Sequence, residues 1–311
     1  MNKKVNLIIG SGVLGAYLTA ELLKKNEKII VTSRKLNKKF TNYEYLKIQK
    51  KVSFEKLNTN NKKEINHILN KYNPKKIFYF SGQSSIPKSI KLKNETFSSH
   101  YVGTKNFLDI LKKEKSDTKF FKANSGYIFS PKKGLVSLNC KYSTNKNPYI
   151  QTQKEVFKLM KKYRKYKLNL FNLVFMQIES PLRPDDFFIK KICLAARNKK
   201  KVEVGNINTF RDYSWITEVV KLILKVSNLG SEDLIISPGI KLSGKEILKT
   251  AYYLNKLDYK KYFSIKKKYF RKQENKLLAS DSRNSLLLNK KFNFKFNIVG
   301  KKLVRKMYNS L

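Results

Sequence analysis

Residues 8–23 read IIGSGVLGAYLTAELL: an apolar run, three glycines at Gly10, Gly12 and Gly15, and then a helical pattern with no break between them. The spacing is G-x-G-x-x-G, set between a strand and a helix. In that setting each glycine has a mechanical reason. Gly10 permits a tight turn, Gly12 lets the backbone approach a pyrophosphate, and Gly15 lets the helix pack on the strand. The free N–H groups at the helix N-terminus then face the phosphates. The stretch predicts a dinucleotide-binding β–α unit, with a glycine-rich turn that holds no ligand as the alternative.

The next apolar run, Lys28–Ser33, is expected to end beside the adenosine ribose, where an NAD enzyme places Asp or Glu on the 2′-hydroxyl. Here the chain continues Ser33, Arg34, Lys35. A carboxylate repels a 2′-phosphate, whereas a guanidinium with an ammonium binds it, so NADP is expected, with NAD as the second choice. In so basic a chain an incidental Arg-Lys pair is the competing explanation.

Composition bounds the rest. With 311 residues and 41% hydrophobic content, the chain can bury one large core or two smaller ones. A formal net charge of +46 ordinarily points to nucleic acid or an anionic membrane. Here the lysines are spread along the whole length among Asn, Ile, Phe and Tyr, with no compact basic arm and no zinc-finger spacing. A solvated basic surface and no nucleic-acid partner are expected. Cys140 and Cys193 lie far apart without a CxxC, and His67 and His100 are too few for a metal cluster, so no metal site and reduced, cytoplasmic thiols are expected. Lys3 and Lys4 before an apolar run superficially resemble a signal peptide, but the glycines and Glu21 interrupt that run. No segment approaches the ~20 uninterrupted apolar residues of a membrane span.

Apolar runs at 6–9, 29–32, 77–81, 119–123 and 168–175 alternate with helical periodicities, notably over 104–112 and 154–166. This alternation predicts an α/β fold, a Rossmann-type doubly wound parallel sheet with right-handed crossovers. After about residue 176 the pattern becomes irregular, with Pro181, Pro184 and Pro238. The expected division is a cofactor-binding Rossmann domain over 1–176 with a returning segment at about 208–238, and a smaller α/β lobe from 177–207 and 239–311.

Seven segments carry a resemblance: IFYFSGQSS (77–85), VGTKNFLDIL (102–111), KFFKANSGYIF (119–129), NPY (147–149), IESPLRPDDFFIKKI (178–192), VGNINTFRDYSW (204–215) and RKQE from Arg271. Taken in order, they resemble an extended short-chain dehydrogenase/reductase of the NAD-dependent epimerase/dehydratase family, in the branch containing GDP-mannose 4,6-dehydratase and GDP-4-keto-6-deoxymannose reductase. The ESPLRP and GN…RDY segments are the specific ones. The resemblance implies a nucleotide-sugar-binding smaller lobe, a GDP-linked hexose as substrate, and a homodimer or homotetramer.

It also implies roles for individual residues. Ser125 is the catalytic hydroxyl, and Tyr149 exchanges a proton with the C4 oxygen while hydride moves to or from the nicotinamide. The family places a Lys four residues after the Tyr, one helical turn on, to hold the ribose and lower the Tyr pKa. That place holds Gln153, which can bond a ribose hydroxyl but brings no charge with which to stabilise a tyrosinate. Lys154 lies one residue later, about 100° round the helix, and substitutes only if the register shifts. Dehydratases of the branch carry a Glu two residues after the catalytic hydroxyl; here that place holds Tyr127, a poor base. On the same resemblance Ser81, Gly82 and Asn58, with Tyr149 and Gln153, line the cofactor, Asn58 near adenine. Gln83, Gln177, Glu179, Lys191, Arg211, Arg271 and Glu274 contact the substrate. Gln177 and Ile178 replace a usual Asn-His pair. Three readings remain: a C4 reductase or epimerase, a 4,6-dehydratase with relocated acid/base groups, and a nucleotide-sugar- or cofactor-binding protein without turnover.

Overall fold

The computed structural model describes residues 4–270 and 275–311. Its largest sheet contains β1 (Val5–Ile9), β2 (Lys28–Ser33), β3 (Ser53–Lys56), β4 (Lys76–Tyr79) and β5 (Lys119–Ser125), together with the strands Leu170–Phe175 and Glu232–Ile236. From one edge the order is Glu232–Ile236, Leu170–Phe175, β5, β4, β1, β2, β3. The β1–β2, β2–β3, β1–β4 and β4–β5 pairs are parallel, with Ile9 opposite both Thr32 and Tyr79. Strand order therefore reverses between β1 and β4, and in doubly wound sheets the carboxyl ends at such a reversal are where ligands bind.

The strands are near-continuous apolar runs because helices cover both faces of a parallel sheet. Leu7, Ile8, Val31, Ile77, Phe78, Phe120 and Phe121 are fully buried. Phe78, Phe121 and Phe171 stack across three neighbouring strands with ring centroids 4.7 and 4.3 Å apart. Each such burial contributes roughly 1.5–3 kcal/mol. β3 is the exception: an edge strand, SFEK, partly exposed throughout. No apolar run announces it.

Three helical segments position the site. Helix α1 (Val13–Leu23) follows β1 directly, and the Thr19 hydroxyl donates to the Gly15 carbonyl at 2.8 Å. The helix Gly103–Lys113 buries Phe107, Leu108 and Leu111, and a π-helical turn, Ser98–Val102, leads into it. The helix Pro148–Tyr163 starts on an Asn147 cap whose Oδ1 accepts from the Tyr149 N–H at 3.0 Å, with Pro148 in the first turn where its missing N–H costs nothing.

The chain forms two compact units. One comprises Met1–Ile128, Tyr142–Val174 and Ile223–Leu234; the other comprises Phe129–Lys141, Phe175–Leu222 and Ile235–Leu311. The returning segment is thus narrower than 208–238, and Phe129–Lys141 leaves the Rossmann unit. Strand pairing explains both differences. Phe210–Trp215 pairs with Lys241–Ser243, Leu277–Ser280 and Gln177–Glu179, and Leu135–Val136 pairs with Leu277–Ser280. The second unit has its own core, including Ile192, Cys193, Trp215, Leu248, Tyr252 and Leu303.

Within that unit the helix Gly244–Tyr253 begins on a capping box: Ser243 Oγ accepts from the Glu246 N–H, and the Glu246 carboxylate accepts from the Ser243 N–H. Ser243→Ala is expected to lower unfolding free energy by about 1 kcal/mol, read by urea denaturation. An unchanged midpoint would show that the helix end is held by packing alone. Among the described residues no helix is long and apolar enough to cross a membrane, and no cluster of His, Cys, Asp and Glu is arranged to hold a metal ion.

Candidate active site

The loop after β1 is shaped by what its glycines leave out. Gly10 has φ +102°, and a Cβ there would lie 2.9 Å from the backbone of Ser81 in the loop after β4. A Cβ on Gly15 would lie 2.6 Å from the Gly10 carbonyl. Gly12 is the reverse case: its Cβ direction is open, and as the N-cap of α1 it brings no side chain to the helix N-terminus. Open space beside the start of a helix leaves room for a pyrophosphate to approach its backbone. Lys38, one lysine among many in the sequence, brings its ammonium 3.2 Å from Ser11 Oγ in this same loop.

Beyond β2, the Arg34 guanidinium pairs with Glu95 at 2.9 Å, both side chains largely exposed, and the Lys35 N–H donates to Ser33 Oγ at 3.4 Å. Asn58 is already engaged. Its Oδ1 accepts from the Asn60 N–H at 3.1 Å, and its own N–H donates to Glu64 at 2.7 Å.

Ser125 ends β5, and its Oγ accepts from the Tyr127 N–H at 3.3 Å. Asn124 Nδ2 donates to the Gln153 carbonyl at 3.3 Å, which ties the end of β5 to the helix carrying Tyr149 and Gln153. Ser125, Tyr149 and Gln153 thus lie on one pair of adjoining elements. Lys154 does not replace the absent lysine: its ammonium donates to the Ser143 carbonyl at 3.3 Å.

The neighbour of Gln153 is His100, a residue the sequence offered only as one histidine too few for a metal. Both are buried, Gln153 at 2% and His100 at 5% exposure. Gln153 Nε2 lies 3.1 Å from His100 Nδ1, and His100 Nε2 lies 2.9 Å from the Gln83 carbonyl. The imidazole meets the Tyr149 ring edge-on, with centroids 5.9 Å apart. Burial, assisted by the positive charge of Lys122, pushes His100 down to about 3, against the bond to Gln83. The ring is therefore neutral near pH 7. Gln153 Oε1 is buried without a hydrogen-bond partner among the described residues, a deficit of about 1–3 kcal/mol for an isolated acceptor. Lys122 itself is fully buried. Its ammonium donates to the Ala123 carbonyl at 3.1 Å and sits 4.7 Å from the Tyr79 ring centroid, and burial pushes its pKa down to about 7. Ser81 and Gly82 follow β4, and Gly82, at φ +126°, lies against the imidazole, a Cβ there falling 2.2 Å from His100 Cε1.

In the second unit, Gln177 and Glu179 lie on a strand paired with Phe210–Trp215, Ile178 between them opposite Ser214. Burial pushes the Glu179 carboxyl up to about 7, against the charge of Arg183. Lys191 donates to the Glu203 carbonyl at 2.8 Å and lies over the Tyr269 ring. Arg211 is buried, with Nη1 donating to the carbonyls of Phe210 and Asn275. Arg271 and Glu274 lie outside the described residues.

The comparisons agree with this architecture. The chain matches the GDP-mannose 4,6 dehydratase family over residues 7–307. It is 24% identical to GDP-mannose 4,6 dehydratase 1 of Arabidopsis thaliana over 90% of this chain and 82% of that protein. It is 23% identical to GDP-mannose 4,6 dehydratase 2 of Caenorhabditis elegans over 60% of this chain, which spans about half (51%) of that relative. Among solved structures, Thermus thermophilus UDP-glucose 4-epimerase in complex with NAD superposes with a TM-score of 0.82 at 16% identity, covering 98% of each chain. Streptomyces venezuelae dTDP-glucose 4,6-dehydratase with NAD bound superposes with a TM-score of 0.83 at 14% identity, covering 98% of this chain and 97% of that one. These likenesses establish the fold. With the match over nearly the whole length, the chain belongs to the GDP-mannose 4,6 dehydratase family of enzymes.

Proposed function

We propose that this chain is a cytoplasmic, NADP-dependent enzyme that reduces a GDP-linked 4-keto-6-deoxyhexose at C4 or epimerises it. The observation that carries the choice within the family is Tyr127. It occupies the position of the dehydratase carboxylate, so no base stands there to remove the C5 proton that dehydration requires. Reduction at C4 needs only a hydroxyl, a proton carrier and a nicotinamide, and Ser125 and Tyr149 supply the first two. A bound nicotinamide nucleotide would supply or accept the hydride. Gly10, Gly12 and Gly15 would hold its pyrophosphate and Gln153 its nicotinamide ribose. Glu179, Lys191 and Arg211 are proposed to serve the GDP-sugar, in a protein that works as a homodimer or homotetramer.

The test is direct. Purified protein is given NADPH and a GDP-4-keto-6-deoxyhexose, and separately NADP with GDP-mannose, and products are followed by mass spectrometry. Turnover of the keto sugar alone is expected; 4-keto product from GDP-mannose would establish dehydration instead. The absence of the usual lysine at 153 supports a second reading, a binding protein with lost turnover, which ligand binding without product in either reaction would establish.

Arg34 and Lys35 carry the cofactor preference. Releasing Arg34 from its exposed pair with Glu95 costs about 0.2–1 kcal/mol, less than a charge-assisted phosphate contact returns. NADPH is expected to bind more tightly than NADH, and Arg34→Asp to reverse the order. Equal calorimetric affinities that ignore the substitution would remove the argument.

A further inference from the structure

His100 is accommodated by three separate features of the first unit. The π-helical turn Ser98–Val102 carries it and is pinned by the Tyr79 hydroxyl, which donates to the Ser99 carbonyl at 2.6 Å; such turns recur at functional sites. Gly82 leaves room for the ring, since a Cβ there would lie 2.2 Å from Cε1. The Gln83 carbonyl, 2.9 Å from Nε2, can only accept, so Nε2 carries the proton.

The rest follows from hydrogen-bond logic. A neutral imidazole protonated at Nε2 has a lone pair at Nδ1, so the Gln153 atom 3.1 Å away is the donor Nε2. The amide oxygen then faces the other way, and it is the atom left buried without a partner among the described residues. We propose that His100 is a positioning residue that locks the Gln153 amide, so that the site presents an uncharged acceptor to a ribose hydroxyl of the nicotinamide half of the cofactor. This rests on the cofactor reading above. A lysine at 153 would offer an ammonium donor; this chain offers an oxygen, and the chemistry it selects is a donating hydroxyl.

Calorimetry with NADPH and with adenosine 2′,5′-bisphosphate, which lacks the nicotinamide ribose, separates positioning from general damage. His100→Ala should weaken NADPH binding about tenfold, the loss of one hydrogen bond's worth of affinity, and leave the bisphosphate unchanged. His100→Asn keeps an acceptor near the place of Nδ1 and should recover most of the loss. Gln153→Met removes the oxygen, and with it the donor to Nδ1, while leaving the imidazole in place, and should reproduce the selective loss. The proposal is overturned if NADPH affinity survives His100→Ala and Gln153→Met, if both ligands weaken together, or if Asn is no better than Ala. Wild-type protein that binds the bisphosphate but gains nothing from the nicotinamide half also overturns it. Failure to bind either ligand would instead overturn the cofactor reading, and this assignment with it.

Discussion

Tyr149→Phe is expected to lower kcat toward a GDP-linked 4-keto sugar by about 10²–10⁴-fold, the usual share of general acid–base catalysis, while NADPH and GDP-sugar still bind. The companion expectation concerns Gln153. Without an ammonium one turn after Tyr149 to stabilise the tyrosinate that proton donation leaves behind, each unit by which the phenol pKa is left unlowered makes it a weaker acid by about 1.4 kcal/mol. Wild-type reduction should therefore be slow, and the fall of kcat that accompanies loss of the phenol proton should come only at alkaline pH. Gln153→Lys should raise the rate and move that fall to lower pH, but only modestly. The new ammonium would stand buried against a neutral His100 whose pKa already reports the charge of Lys122. Two buried like charges disfavour each other, so the gain should be larger when Lys122→Met is combined with Gln153→Lys. Fast wild-type turnover at neutral pH would show that some other cation serves Tyr149.

The sheet and its glycine loop were legible because both are written locally. A parallel strand is an apolar run, and the turn at Gly10 demands a residue that tolerates φ +102°. What was illegible depends on tertiary placement. β3 is a half-exposed edge, so its sequence SFEK carries no apolar signature. The unit boundaries depend on which strands Phe210–Trp215 pairs with, and no local pattern encodes a partner. At the site, the positions of Ser125, Tyr149 and Gln153 followed from resemblance, whereas the amide's orientation hangs on His100, which lies 53 residues away. Lys122 was hidden by composition: among 68 lysines and arginines a single buried one cannot be picked out. Its place inside the β5 run KFFKANS, flanked by core phenylalanines, was the one available signal.

Lys122→Met should make the protein more stable at pH 6, by on the order of 5 kcal/mol, and the advantage should shrink as pH rises. Burial lowers the lysine from 10.5 in the ordinary range to about 7 in the folded chain, and each unit is worth about 1.4 kcal/mol. Below pH 7 the group is charged whether the chain is folded or not, so folding bears the whole cost of burying the ammonium. Between about 7 and 10.5 the folded protein has released the proton while the unfolded chain keeps it. The unfolded state then binds more protons, and stability climbs with pH. Above 10.5 both states are neutral and the penalty is gone. Methionine matches the lysine stem in shape and carries no charge, so the variant escapes the penalty throughout. At high pH it lacks only the bond from Nζ to the Ala123 carbonyl, worth about 1 kcal/mol. Urea denaturation of both proteins at pH 6, 8 and 10 reads the difference. A gap that stays constant with pH, or a variant less stable at pH 6, would mean that Lys122 is not a buried cation and that its charge plays no part in keeping His100 neutral.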